Sequence, residues 1–266
     1  MDFVVILILL FFGVIFGIIS SIAGIGGGAF YMSLMILLFA IPINEARDTS
    51  AFIIVFFSGV AFLNYFKQGK VDIKLSLVFA GFSLLGGITA TIFFTIFPID
   101  NTVLIIIIAS IVLVSGLNMI RKALGTVRSE GFNNNKQEIV FSFENLDYKY
   151  NMKKGIPLFF LVGFIAYLSG IGGGMLFVPI LSFLFGIPIH YATAMSTSII
   201  FFIGIYNATV RIIMGGVQYL IGILIVIGAI TGSIFGPKLS GKMPKSYLQL
   251  FVAIVLMILA IRMYFV

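Results

Sequence analysis

The sequence predicts an all-α polytopic membrane protein of two inverted-topology repeats. Each repeat is a glycine-broken, re-entrant helical hairpin followed by three transmembrane helices. Three observations predict this. Hydrophobic residues make up 61% of the chain and charged residues 9%, with a mean hydropathy of +1.23; a soluble domain of 266 residues needs far more polar surface. The pentapeptide Gly-Ile-Gly-Gly-Gly occurs at 24–28 and again at 170–174. The offset that pairs Gly24 with Gly170 also pairs, without a gap, Ile41-Pro42-Ile43 with Ile187-Pro188-Ile189, Ser50 with Ser196, Gly69 with Gly215, Gly86 with Gly232 and Pro98 with Pro244. Glycine and proline fix backbone geometry, so their common register marks a duplicated fold and not merely a shared greasiness.

Apolar runs bounded by proline, glycine and charge place spans at 3–41, 49–66, 75–97, 101–120, 156–187, 194–214, 219–237 and 247–265, the first and fifth interrupted by the pentapeptide. Residues 1–122 form the first membrane repeat and 156–266 the second. Between them, 123–155 reads as a soluble linker, rich in Lys, Arg and acids and carrying Asn133-Asn134-Asn135. Alternation of apolar and polar residues over 139–143 suits a short strand or hairpin. The start Met1-Asp2-Phe3 lacks a basic stretch, so the first apolar run is expected to be retained and not cleaved.

As one helix, 156–187 is roughly 48 Å long against a hydrocarbon core of about 30 Å. Each of its arms, at roughly 20 Å, reaches mid-bilayer without crossing it. Consecutive glycines between the arms break the helix and permit reversal, giving a re-entrant hairpin with its tip at 170–174. Irregular backbone at that depth is tolerated only when surrounded by protein or a wet cavity. In the first copy, residues 3–23 are long enough to span alone.

A hairpin that returns to its starting side leaves three crossings per repeat, an odd number that inverts the second half. Lys and Arg gather on the cytoplasmic side. The inverted arrangement puts Lys67, Lys70, Lys74, the whole 121–155 segment, Lys238, Lys242 and Lys245 together, leaving only Arg47, Arg211 and Arg262 of the 16 basic residues opposite. The 121–155 segment is thus expected to be cytoplasmic, in a cell membrane.

The absence of cysteine excludes disulfides and thiolate chemistry, and a single histidine, His190, excludes a multi-histidine metal site. No cofactor is expected. All nine acidic residues lie at or before Asp147 and none is central to an apolar run, so the carboxylate that usually holds a coupling cation is missing. A net charge of +7 favours anions.

Consecutive glycines at a helix start leave amide groups bare and accessible at the positive end of the helix dipole, which suits a small anion. Gly24, Gly26, Gly27 and Gly28, with Gly170, Gly172, Gly173 and Gly174, are therefore candidate binding residues. Close helix packing is the other use of such glycines. Thr49, Ser50, Ser196 and Thr197 lie just inside the helices that follow and can donate to an oxyanion, or bond to their own backbone. Asn207 and Arg211 share a helix face. Arg211 either snorkels to the interface or serves as an entry charge; His190 reads as an interfacial loop residue, and Tyr31 and Phe177 as core. No phosphate-loop lysine follows the glycines, so no nucleotide or nucleic acid is expected. An intramembrane serine protease built on Ser169 and His190 is disfavoured because Ser169 aligns with Ala23.

Ser/Ala-Gly-Ile-Gly-Gly-Gly, then a hydrophobic run, Ile-Pro, an Ala/Thr/Ser cluster, Gly-x-Val and a glycine-rich helix ending near proline resembles the TauE/SafE sulfite exporter family over both halves. The resemblance implies a multi-pass permease for sulfite, sulfonates or related small inorganic or organosulfur anions, working by alternating access in a lipid bilayer. An anion channel, a membrane enzyme and an assembly scaffold are the other classes, and association into a homo-oligomer stays open. The first copy departs from the second at Ala46-Arg47-Asp48-Thr49-Ser50-Ala51, where the second reads Ala-Thr-Ala-Met-Ser-Thr.

Overall fold

A computed structural model describes residues 3–96, 148–170 and 172–263, with isolated positions between 106 and 124. Nine helices are among them: α1 (Phe3–Ala23), α2 (Gly28–Phe39), α3 (Ile43–Lys67), α4 (Ile73–Ile96), α5 (Tyr148–Ser169), α6 (Gly174–Phe183), α7 (Ile189–Met214), α8 (Tyr219–Lys242) and α9 (Lys245–Met263). No strand occurs among the described residues. The strand expected at 139–143, and most of the linker, lie outside them. The expected span at 101–120 is described only at isolated helical positions.

Among the described residues, five helices are long and apolar enough to cross a membrane: Phe3–Ala23, Ile43–Lys67, Ile73–Phe93, Ile189–Met214 and Tyr219–Lys242. The polarity of the molecule agrees. Ile213 is 79% exposed and Phe3, Phe11, Leu85 and Leu220 also face outward, while Asp48, Thr49, Ser50, Ser196, Asn207 and Arg211 are buried. Apolar side chains outside and polar ones inside suit a hydrocarbon solvent.

Both interrupted segments break where the glycines stand, α1 giving way to α2 and α5 to α6. The arms differ from the expectation in length. α5 starts at Tyr148, inside the stretch read as linker, and has 22 residues, about 33 Å at the helical rise. Hydropathy marks the membrane boundary, whereas a helix satisfies its own backbone and continues past that boundary. The two arms of each segment barely touch beyond the break. Instead α1 lies along α8, α4 along α5, α2 along α3 and α6 along α7, with α3 and α7 packed on each other. In the repeat register α1 matches α5 and α4 matches α8, so α1–α8 and α4–α5 are equivalent seams, each joining one copy to the other.

Those seams depend on backbone contact. Gly17 and Gly163 are register partners. A methyl on Gly17 would come to 2.6 Å from the Ala229 carbonyl oxygen, and one on Gly163 would collide with the Ser83 carbonyl. In lipid, where apolar burial does not drive helices together, such close approach supplies the dispersion energy. The core beside the α4–α5 seam is aromatic: Phe79 and Phe159 stack at 4.0 Å between centroids, and Phe159 stacks on Phe177 at 5.6 Å. Gly163→Leu is expected to abolish recovery of folded protein from detergent extracts, whereas Gly81→Leu, at an exposed position with nothing within 4 Å, leaves the thermal transition unchanged; size-exclusion profiles and melting curves check both.

Candidate functional site

At the first break the chain turns through Gly24 (φ 67), Gly26 (φ 88) and Gly27 (φ 72); at the second, through Gly170 (φ 64), Gly172 (φ 88) and Gly173 (φ 72). Gly27 and Gly173 precede α2 and α6 with the same ψ of −10. Left-handed backbone disfavours any side chain by about 1 kcal/mol or more, which is why the pentapeptide recurs intact. The Gly24 amide donates to the Ser20 carbonyl at 2.8 Å and the Gly170 amide to the Ala166 carbonyl at 3.2 Å. The amides of Gly26, Gly27, Gly28, Gly172, Gly173 and Gly174 take no partner among the described residues. The breaks are buried and abut: a methyl on Gly174 would lie 2.6 Å from Ile25 Cα.

The four candidate hydroxyls are all engaged by protein. Ser50 Oγ donates to the Gly170 carbonyl at 2.8 Å, and Ser196 Oγ donates to the Gly24 carbonyl at 2.6 Å. These bonds are register equivalents: each copy's serine holds the other copy's break. Ser50 Oγ also lies 2.8 Å from the Arg47 carbonyl. Thr197 Oγ1 donates to the Thr193 carbonyl, and Thr49 Oγ1 accepts from the Gln218 amide at 2.9 Å.

A narrow pocket opens beside the second break. Gly170 and Gly172 form one wall, Ala51 of α3 and Tyr167 of α5 two others, and Gly204, Asn207 and Arg211 of α7 the fourth; isoleucines complete it. No residue of the first break lines it.

Arg211 does not snorkel. It is 5% exposed, and its guanidinium donates to the Tyr167 carbonyl at 2.8 Å, sits 4.5 Å over the Tyr167 ring and pairs with Asp48 Oδ1 at 3.0 Å. Arg47 Nε approaches the same oxygen at 3.2 Å. A neighbouring carboxylate, carbonyl and ring face together supply what the interface would have offered. Asp48, 6% exposed, corrects the expectation that no acid is buried in the membrane region. Only the break in register at Arg47-Asp48 signalled it. Asn207, 8% exposed, lines the same pocket one helical turn from Arg211.

Tyr31 and Phe177 are wholly buried core. His190 lies in the first turn of α7, half-buried, and not in a loop. Among the described residues no cluster of three His, Cys, Asp or Glu is placed to hold a metal.

The model of the family described as "Sulfite exporter TauE/SafE" matches residues 9–263. The chain is 30% identical to the probable membrane transporter protein YunE of Bacillus subtilis (strain 168), over 99% of this chain and 97% of that protein. It is 23% identical to the probable membrane transporter protein YdhB of the same organism, covering 92% and 93% of the two chains. No solved structure matches it.

Ser50→Ala and Ser196→Ala each leave a buried carbonyl with one partner fewer, a loss of about 1–3 kcal/mol. Each variant is expected to unfold at lower denaturant concentration than wild type in detergent, and the double variant at lower concentration still.

Proposed function

The chain belongs to the TauE/SafE sulfite exporter family and is a multi-pass membrane transporter; on that premise we propose that it carries a small sulfur-containing oxyanion, such as sulfite or an organosulfonate, through the pocket beside the second glycine break. The observation that carries this reading is Arg211, a buried cation on the wall of a pocket. Asn207 and Gly172, whose backbone amide is bare, line the same pocket. The Gly170 carbonyl, an acceptor that would repel an anion, is occupied by Ser50 Oγ. Arg47, Arg211 and Asp48 together carry one net positive charge, matching one negative charge on a guest in a region of low dielectric.

The two copies are inverted, with both breaks near mid-bilayer and the 121–155 segment on the cytoplasmic side of the cell membrane. The reciprocal serine bonds and equal φ angles support a two-fold relation, and the lysine distribution supports inversion. Alternating access arises when the α1–α8 and α4–α5 pairs tilt about the α3–α7 seam, exposing the pocket to either face. Saturable flux and counter-transport separate a carrier from a channel. The remaining bare glycine amides, at Gly26, Gly27, Gly28, Gly173 and Gly174, add positive potential at mid-depth without touching the guest directly.

Flux into proteoliposomes, measured with sulfite, thiosulfate, sulfate and methanesulfonate, tests the assignment. Asn207→Ala and Arg211→Gln are expected to cut uptake of the carried anion at least tenfold while remaining folded. Leu77→Ala, on the exposed face of α4, keeps wild-type uptake. Wild-type uptake in both pocket variants sinks the assignment.

A further inference from the structure

The first repeat serves as an internal control on the second. Tyr65 is the register partner of Arg211, and Ser21 of Tyr167. Tyr65 Oη donates to the Ser21 carbonyl at 2.7 Å, the counterpart of the 2.8 Å bond from Arg211 to the Tyr167 carbonyl. The fold therefore needs a donor at this point of each copy, and a neutral phenol is sufficient. Tyr65, Phe57 and Ala61, the register partners of the pocket residues Arg211, Ile203 and Asn207, are all wholly buried. Asp48 is matched by Ala194 and Arg47 by Thr193. The charges at 47, 48 and 211 are thus additions on one side of a duplicated scaffold. A buried ion pair is a weak source of stability, since desolvation offsets most of the attraction. Folding alone does not account for them.

Their geometry suggests a use. Arg211 lines the pocket and Asp48 does not. The carboxylate reaches the guanidinium from outside the pocket and occupies its charge. Gly216, in the turn between α7 and α8, is bare where a methyl would collide with Asp48 Oδ2. Arg47 Nε, already 3.2 Å from Oδ1, offers Asp48 a second cation if Arg211 is taken by another anion. Resting on the anion-transport reading, we propose that Asp48 is a resident counter-anion: the transported anion displaces it from Arg211, and Asp48 returns as the anion leaves. Asp48 is then a positioning residue. It weakens anion binding in the ground state and speeds release.

A structural role and this one predict opposite signs. Losing a merely structural partner loosens Arg211 and weakens anion binding. Losing a competitor tightens it. Purified full-length protein in detergent is titrated with sulfite and with methanesulfonate, and the same proteins are reconstituted for flux. Asp48→Asn keeps the shape and removes the charge. It is expected to lower Kd at least tenfold for whichever anion wild type carries, and to lower KM and turnover together. The variant Asp48→Asn/Arg211→Gln is expected to bind neither anion. A folded Asp48→Asn protein with unchanged or weaker affinity overturns the proposal. Should that variant fail to fold, infrared difference spectra of wild type with and without saturating sulfite decide the matter: a shifted carboxylate band supports displacement, and an unshifted one overturns it. Wild-type flux with an unaltered Kd in Asp48→Asn defeats only the role of Asp48. Wild-type protein that neither binds nor carries either anion defeats the transport reading, and this proposal with it.

Discussion

Two hydrogen bonds hold the centre of this molecule: Ser50 Oγ to the Gly170 carbonyl and Ser196 Oγ to the Gly24 carbonyl. A helix broken in a low-dielectric interior leaves carbonyls and amides that no lipid can satisfy. Each serine supplies a donor to a carbonyl of the opposite copy, so neither copy can close its own break. The bonds sit where α3 and α7 cross, and the α1–α8 and α4–α5 seams share the same reciprocity. Duplication here did not yield two self-contained halves beside each other. It yielded one interlocked structure whose weakest backbone elements are fastened by the partner copy.

That arrangement frees one region from purely structural duty. With the carbonyl at Gly170 occupied and the tip held against Ile25, the space beside the second break is bounded by a rigid backbone wall and by α7. A cation placed there is held in position by the Tyr167 carbonyl and ring, yet it still faces an opening. In the first copy the register partner of Arg211 is Tyr65, a neutral phenol that is wholly buried. A near-symmetric scaffold thus carries a charged pocket beside its second break, where Asp48, Arg47 and Arg211 stand opposite Ala194, Thr193 and Tyr65 in the repeat register.

Much of this architecture was written in residues that constrain backbone locally. Gly24, Gly26 and Gly27 and their copies Gly170, Gly172 and Gly173 adopt left-handed φ, so the breaks fell where the pentapeptide stands. Pro42 and Pro188 mark the starts of α3 and α7. Hydropathy located the apolar runs but not the helix ends, because Tyr148 to Lys154 continue a helix without being apolar. Ser50 and Ser196 stand beside the breaks, but Ser50, Thr49, Ser196 and Thr197 all bond to protein, and the polar side chains on the pocket wall are those of Asn207, Arg211 and Tyr167.

The sequence by itself determined that this chain is a duplicated, helical, membrane-embedded protein broken twice at glycine, since composition sets the solvent and glycine and proline set local φ whatever surrounds them. Only the tertiary structure decided that Arg211 turns inward to Asp48, that α1 and α2 part company to pack on different partners, and that the second break lines a pocket with Arg211. Those outcomes depend on where helices distant in sequence cross, to within an ångström or two, and on which side chain first meets an opposite charge there. No periodicity along a single strand of sequence records such a meeting.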